Sequence, residues 1–121
     1  MSLSHTPDNI TSLKANEWIV VGTNKFGRHG GGAANFAMEH FGLIWGCGEG
    51  MSGKSYALPT MEGLAAFHRA ANRFIRFARY NPDKRFFLTK VGCGIAGYEE
   101  TVVKSLFLET PPNVIKPEGW Y

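Results

Sequence analysis

Two glycine-rich loops constrain the fold of this 121-residue chain more than any other feature. The first follows the apolar, β-branched run WIVVG at 18–22 and leads into the helix-forming segment AANFAMEHFG. The second follows RFFLTKV at 85–91 and precedes a short helical segment at about 99–107. Buried β-branched runs that alternate with helical segments are typical of a parallel sheet covered on both faces. The sequence therefore predicts an α/β fold.

The remaining segments continue this alternation. SYALPT at 55–60 predicts a strand, and the apolar period changes to a helical one between 61 and 80. NVIKP at 113–117 predicts a final strand, whereas LIWGC at 43–47 fits either a short strand or a packed loop. We expect a small three-layer α/β/α domain with about four, mainly parallel strands.

Length and composition are those of one globular domain. Apolar residues make up 44% and charged residues 19% of the chain. The polar residues 1–16 are expected to form a flexible lead-in to a single domain over 17–121. No apolar run approaches the length of a membrane span, and no hydrophobic signal core precedes the domain, so a cytoplasmic protein is expected.

The net charge of +3 and the isoelectric point near 9.0 give a mild bias toward anionic ligands. This bias is far from the charge density of a dedicated nucleic-acid binder. The arginine face predicted on the long helix, with Arg69, Arg73 and Arg76, is most simply a solvated surface. A nucleic-acid partner is therefore not the leading expectation.

The cysteines and histidines do not indicate a metal or a disulfide. Cys47 and Cys93 each lie in a G-C-G triplet beside apolar residues, which favours reduced, buried thiols. Two cysteines and four scattered histidines lack the spacing of a metal site. Neither a metal nor a cofactor is expected.

Residues 48–55, GEGMSGKS, match the phosphate-loop pattern G-x-x-x-x-G-K-[S/T]. A working phosphate loop follows a strand and opens a helix at its lysine-serine pair. Here Lys54 and Ser55 run into YALPT, where Pro59 is incompatible with the start of a helix. We therefore predict that the chain is not a phosphate-loop nucleotide hydrolase and interpret Lys54 as a solvated loop residue.

The two glycine loops at strand ends are the better candidates for a ligand site. Ligands of open parallel α/β sheets bind at the carboxyl ends of the strands. Glycine runs expose successive backbone N–H groups, and helix N-termini add a positive dipole, so both loops could cradle a phosphate or pyrophosphate. The alternative is that the glycines only permit tight turns between strand and helix.

Both loops resemble those of a known family. VGTNKFGRHGGGAA resembles the first ligand loop of macro domains, and KVGCGIAGY resembles their second loop, which wraps a diphosphate. From about 18 to 120 the chain also resembles a family of short phage and bacterial proteins with a GSN-x-x-GRHG-x-GAA opening and an IGCGIAG loop. The macro likeness covers mainly the two loops and implies the strand order 4-3-1-2 for the four predicted strands.

The resemblance implies a binding role for both loops. Asn24 would bond the distal ribose, and the glycine run of the first loop would pack against that ribose and the diphosphate. Backbone donors of the second loop would contact the phosphates. Together with neighbouring residues, the candidate ligand-binding residues are Gly22, Asn24, Arg28, Gly30, Gly31, Gly32, Ala33, Gly92, Cys93, Gly94, Ile95, Ala96, Gly97 and Tyr98.

The chain also departs from the macro pattern. It lacks the earlier strand whose following aspartate reads the adenine amino group. Gly31 occupies the position at which deglycosylating macro domains with a G-K-G loop carry an active lysine, which disfavours a covalent lysine mechanism. These departures leave the identity of the nucleoside open.

We expect the protein to bind ADP-ribose or a related phosphorylated nucleoside. The alternative is a hydrolase that acts on ADP-ribosyl groups or a related signalling nucleotide. In that case His29 could act as an acid or base, and Glu99 could orient a water. The other interpretations are a loop histidine that caps backbone groups and a carboxylate that favours the first turn of a helix. A nucleic-acid-associated or structural protein is the third possibility.

Overall fold

The computed structural model describes residues 5–28 and 32–121. Within these residues the chain forms a small mixed α/β domain with one five-stranded sheet and three helices. The strands are β1 (Glu17–Thr23), β2 (Gly50–Ser52), β3 (Ser55–Pro59), β4 (Arg85–Leu88) and β5 (Val114–Ile115). The helices are α1 (Gly32–His40), α2 (Leu64–Arg79) and α3 (Glu100–Ser105).

The sheet has the strand order β2-β3-β1-β4-β5. The central strand β1 pairs in parallel with β3 and with β4, and β5 continues the parallel arrangement beside β4. Val20, the middle residue of β1, lies opposite Tyr56 on one side and Leu88 on the other. The remaining strand, β2, lies at the other edge of the sheet and is antiparallel to β3. Its three residues, GMS, carry too little apolar or β-branched character to predict a strand from sequence.

The side chains of β1 alternate between two cores. Ile19 and Val21 pack on the face covered by Ala34 and Ala37 of α1. Val20 points to the opposite face and joins the larger core formed with α2 and α3. A strand that is apolar on both faces must be covered on both, which explains the placement of helices on either side of the sheet.

Helix α2 contributes more buried residues to the larger core than any other element. Its buried face consists of Phe67, Ala70, Ala71, Phe74, Ile75 and Ala78. The helix begins at Leu64, three residues later than the sequence period indicated, because Gly63 immediately before it has φ +94°. Leu64, in this first turn, is exposed.

The segment GEGMSGKS forms a β-hairpin. Ser52 of β2 pairs with Ser55 of β3, and Gly53 and Lys54 form the turn between them. Gly53 has φ +58°, which suits the first turn position of a type II′ hairpin. Lys54 Nζ donates to Ala15 O at 2.7 Å, so this lysine is bonded to the domain, in contrast to the solvated residue expected from sequence. No helix begins at the lysine-serine pair, and the backbone cradle of a phosphate loop is therefore not formed.

The described part of the N-terminal segment contacts the domain. Thr6 forms an isolated parallel bridge with Pro117, and its hydroxyl oxygen lies 2.8 Å from both Leu88 O and Ile115 O. Farther along, Ile10 packs against the α1 side of the sheet. These contacts attach the described part of the lead-in beside β5. Its flexibility stays a prediction.

The arginine face of α2 is exposed, but one of its members is paired. Arg73 forms two hydrogen bonds with the Glu49 carboxylate, at 2.6 and 2.8 Å. This pairing raises the pKa of the Arg73 guanidinium and joins α2 to the segment that leads into β2. None of the described helices is long and apolar enough to cross a membrane.

Alkaline unfolding tests the packing of Tyr56, which is only 4% exposed and has its ring centroid 4.9 Å from that of Phe74. Burial, assisted by the nearby Glu49 carboxylate, raises the pKa of Tyr56 to about 12. Between about pH 10 and pH 12 the unfolded chain loses this proton while the folded chain retains it, so the free energy of unfolding must fall as pH rises.

We therefore expect Tyr56→Phe to be less sensitive to alkaline pH than the wild type. In urea titrations, the wild-type free energy of unfolding should fall by about 1–2 kcal/mol more than that of Tyr56→Phe across this range. Tyr80→Phe is the matched control because Tyr80 is 79% exposed. Parallel pH profiles for the wild type and Tyr56→Phe would contradict the prediction.

Candidate functional site

A cleft of about 170 Å³ lies where β1, β3 and β4 end. These three strands are parallel neighbours, so their carboxyl ends reach the same edge of the sheet. The described residues that line the cleft are Gly22, Thr23, Asn24, Arg28, Gly32, Ala33, Ala34, Thr60, Met61, Thr89, Lys90, Val91, Gly92, Gly94, Ile95 and Ala96. Both glycine loops therefore border one cavity.

Close approach of the strand ends forms the floor of the cleft. A Cβ atom at Gly22 would lie 3.4 Å from Gly92 N and 3.4 Å from Thr60 Cγ2. Thr60 N also donates to Thr23 O at 2.8 Å, which extends the pairing of β1 and β3 by one residue. The small side chains at these positions allow the three strand ends to converge.

The first loop is organised by Asn24. Its Oδ1 atom accepts hydrogen bonds from Phe26 N and Arg28 N, both at 3.1 Å, and its Nδ2 atom donates to Arg28 O at 3.0 Å. A side chain that bonds nearby backbone in this way stabilises a turn. The amide oxygen of Asn24 thus shapes the loop that carries Arg28 to the cleft.

Two glycines of this region serve packing between loops. A Cβ atom at Gly27 would lie 2.3 Å from Gly46 C, and one at Gly48 would lie 2.1 Å from Lys25 O. Gly46 N donates to Gly27 O at 2.9 Å across the same contact. For these positions the structure supports the interpretation that glycine permits close backbone packing.

The second loop is closed by internal hydrogen bonds. Tyr98 N donates to Gly92 O at 2.9 Å, Gly97 N donates to Gly94 O at 3.0 Å, and Cys93 N donates to Lys90 O at 3.3 Å. Two of the backbone donors predicted to contact phosphate, those of Cys93 and Gly97, are therefore used within the loop itself.

The backbone amides at the centre of this loop are not used in such internal hydrogen bonds. The amide N–H groups of Gly94, Ile95 and Ala96 have no acceptor within residues 5–28 and 32–121. All three residues line the cleft, and a Cβ atom at Gly94 would meet nothing within 4 Å. Successive amides without partners are the feature from which an anion-binding concavity is built.

Cationic and anionic side chains meet at the edge of the cleft. Arg28 and Lys90 line it, and Lys90 Nζ lies 3.4 Å from Glu100 Oε1. Glu100 Oε1 also accepts a hydrogen bond from Trp120 Nε1 at 2.7 Å. That bond, followed by the interaction with Lys90, lowers the pKa of the Glu100 carboxyl below its usual value. Lys90 therefore lines the cleft while paired with Glu100.

The structure brings together most of the described residues that sequence reasoning proposed for ligand binding. Those that line the cleft are Gly22, Asn24, Arg28, Gly32, Ala33, Gly92, Gly94, Ile95 and Ala96. Cys93 and Tyr98 instead pack against the larger core, and Gly97 lies beside the cleft without lining it. Gly30 and Gly31 lie outside the described residues.

The structure describes only one of the two candidate catalytic residues. His29 lies outside the described part of the chain. Glu99 precedes the first turn of α3 with extended backbone, makes no side-chain capping bond there, and does not line the cleft. A catalytic role for either residue stays a prediction.

Several lining residues were not among the sequence candidates. These are Thr23, Ala34, Thr60, Met61, Thr89, Lys90 and Val91. Most of them lie at or just beyond the ends of β1, β3 and β4, so the rule that ligands bind at strand ends could have found them.

The two cysteines are free and half-buried. The Cys93 thiol donates to Val91 O at 3.7 Å, and burial, followed by the nearby Glu100 carboxylate, raises its pKa. A raised thiol pKa disfavours the thiolate that a nucleophile requires. Among residues 5–28 and 32–121, no group of three His, Cys, Asp or Glu side chains is arranged to hold a metal ion.

No protein-family model, curated protein or solved structure matches this chain. The interpretation of the cleft therefore depends on its own geometry and on the resemblance of its two loops.

The second loop makes a specific prediction about stability. Gly92 and Gly97 have nearly equal φ values, +78° and +76°, but a Cβ atom at Gly92 would lie 2.5 Å from the buried Phe67 ring, whereas one at Gly97 would meet nothing within 4 Å. Alanine should cost roughly 1–2 kcal/mol at either site because of the backbone conformation. Overpacking against Phe67 should cost about 1–3 kcal/mol more at Gly92 alone.

Urea unfolding of Gly92→Ala and Gly97→Ala measures the difference. Gly97→Ala is the matched control for backbone strain, so the additional loss in Gly92→Ala reports the contact with Phe67. Equal losses in the two variants would show that the Phe67 ring moves aside without cost.

Proposed function

We propose that the cleft binds ADP-ribose or a related phosphorylated nucleoside. The observation that carries this proposal is the convergence of both glycine loops on one cavity at the ends of β1 and β4. Each loop was predicted from sequence as a phosphate cradle, and a diphosphate needs donors on more than one side.

The donors around the cleft favour an anion. One wall offers the amides of Gly94, Ile95 and Ala96, which have no acceptor among the described residues. The amino end of the nine-residue helix α1 also borders the cleft, since its first residues line it. Helix N-termini present free N–H groups and a positive dipole to a bound anion. Arg28 adds a fixed cationic fork that suits phosphate oxygens.

Apolar side chains at the opening favour a nucleoside over a free phosphate. Ile95 is 77% exposed and Met61 is 44% exposed, and both line the cleft. Covering apolar surface of this kind with the base of a nucleoside removes it from water, which favours binding.

The hydrolase alternative has less support. It requires a group that activates water beside the bound phosphoribosyl unit. Glu99 does not line the cleft, and His29 lies outside the described residues. On the arginine face of α2, which a nucleic-acid role would use, Arg73 is already paired with Glu49.

Calorimetric titration with ADP-ribose tests the proposal. We expect saturable binding by the wild type and a loss of at least about tenfold in affinity for Gly94→Glu. The new carboxylate would project from a position with no neighbour within 4 Å, so it should repel phosphate without disturbing the core.

Asn72→Glu is the matched control because it adds the same charge on an exposed position of α2 that does not line the cleft. This variant should bind like the wild type. Absence of heat and of a thermal shift with ADP-ribose, ADP, AMP and NAD would overturn the proposal.

A further inference from the structure

We infer that the cleft recognises a ribose together with its 5′-phosphate and does not discriminate between bases. The ligand class is therefore ribose 5′-phosphates and the nucleoside diphosphates built on them, whichever base they carry. This inference rests on the proposed function and adds to it which part of the ligand is recognised.

The floor of the cleft presents hydrogen-bond acceptors. Thr89 Oγ1 donates its hydrogen to Val20 O at 2.7 Å, and Thr60 Oγ1 donates to Thr23 O at 3.4 Å. A threonine hydroxyl has one hydrogen and two lone pairs, so a hydroxyl that donates to a carbonyl retains only acceptor capacity. Thr60 and Thr89 can therefore accept hydrogen bonds from the hydroxyl groups of a ribose.

The wall formed by the second loop presents donors. Gly94, Ile95 and Ala96 contribute amides without acceptors among the described residues, and Arg28 contributes a guanidinium from the first loop. Phosphate oxygens accept hydrogen bonds and cannot donate when ionised. A floor of acceptors beside a wall of donors fits a sugar hydroxyl next to a phosphate.

The described side chains of the lining that could read a base edge are engaged elsewhere. Discrimination between bases needs donors and acceptors held in a fixed pattern, as an Asn or Gln amide or an Arg or Lys side chain provides. Lys90 is paired with Glu100, and Arg28 is assigned to the phosphate. Asn24 also lines the cleft, and its oxygen already accepts from Phe26 N and Arg28 N. Its Nδ2 atom also donates within the loop, to Arg28 O.

The size of the cleft agrees with recognition of a fragment. Its volume of about 170 Å³ is below the roughly 300–1,000 Å³ of sites that enclose a drug-sized ligand. A base attached to a bound ribose would therefore lie at the opening, against Met61 and Ile95. Contact with apolar side chains is tolerant of base identity because every base has a flat face.

A panel of nucleotides tests base indifference. By calorimetry, ADP, GDP, CDP and UDP should bind the wild type with affinities within about threefold of one another. Ribose 5-phosphate should bind measurably and adenosine should not. A preference of more than about tenfold for one base, or binding of adenosine comparable to that of ADP, would overturn the inference.

Variants at Thr89 test recognition of the ribose. The wild type should bind 2′-deoxy-ADP or 3′-deoxy-ADP more weakly than ADP, and Thr89→Val should lose this difference while Thr89→Ser retains it. A purely structural role of Thr89 would weaken all three ligands alike. Equal binding of ADP and both deoxy forms by the wild type would overturn recognition of the ribose.

The panel also separates the two proposals. If no phosphorylated ligand binds, the proposed function fails and the inference fails with it. If one diphosphate binds tightly and the others do not, phosphorylated nucleosides remain the ligands and only base indifference is lost.

Discussion

The parallel pairing of β1 with both β3 and β4 is the constraint on which the rest of the structure depends. It places the ends of three strands at one edge of the sheet, so the residues that follow each strand meet there. The two glycine loops are about 65 residues apart in sequence, yet they border the same cleft because of this pairing. The pairing itself is stabilised by burial of β1 on both faces, beneath α1 on one side and α2 on the other.

Glycine has at least two different roles around the cleft. Gly27, Gly48 and Gly92 lie where a Cβ atom would overlap a neighbouring backbone or ring, so their absence of a side chain permits tight packing. Gly32 and Gly94 have no neighbour within 4 Å, so the same absence leaves backbone open at the cleft. The interpretation of tight packing weighed from sequence therefore applies to the first group, and a phosphate cradle stays a prediction for the second.

The predicted α/β class is confirmed, and the strands over 18–22, 55–60 and 85–91 and the helix over 61–80 are found with shifted ends. These segments were predictable because they carry either a long helical apolar period or a short, strongly apolar run. The hairpin strand β2 was not, since three residues of low β-propensity carry no period and gain their structure by pairing with β3. Thr60, Thr89 and Lys90 were missed as cleft residues because the sequence candidates were chosen around glycines, although their positions after predicted strands pointed to this edge of the sheet.

By itself the sequence determined that strands and helices alternate, that backbone is open after two of the strands, and that GEGMSGKS cannot start a helix at its lysine. These are local properties, set by side-chain period, by glycine and by proline. Only the tertiary structure decided which backbone donors are already used within the second loop and that Asn24 bonds its own loop. It also decided which way the threonine hydroxyls donate. Such partners come together only when distant strand ends converge, and no local pattern encodes that contact.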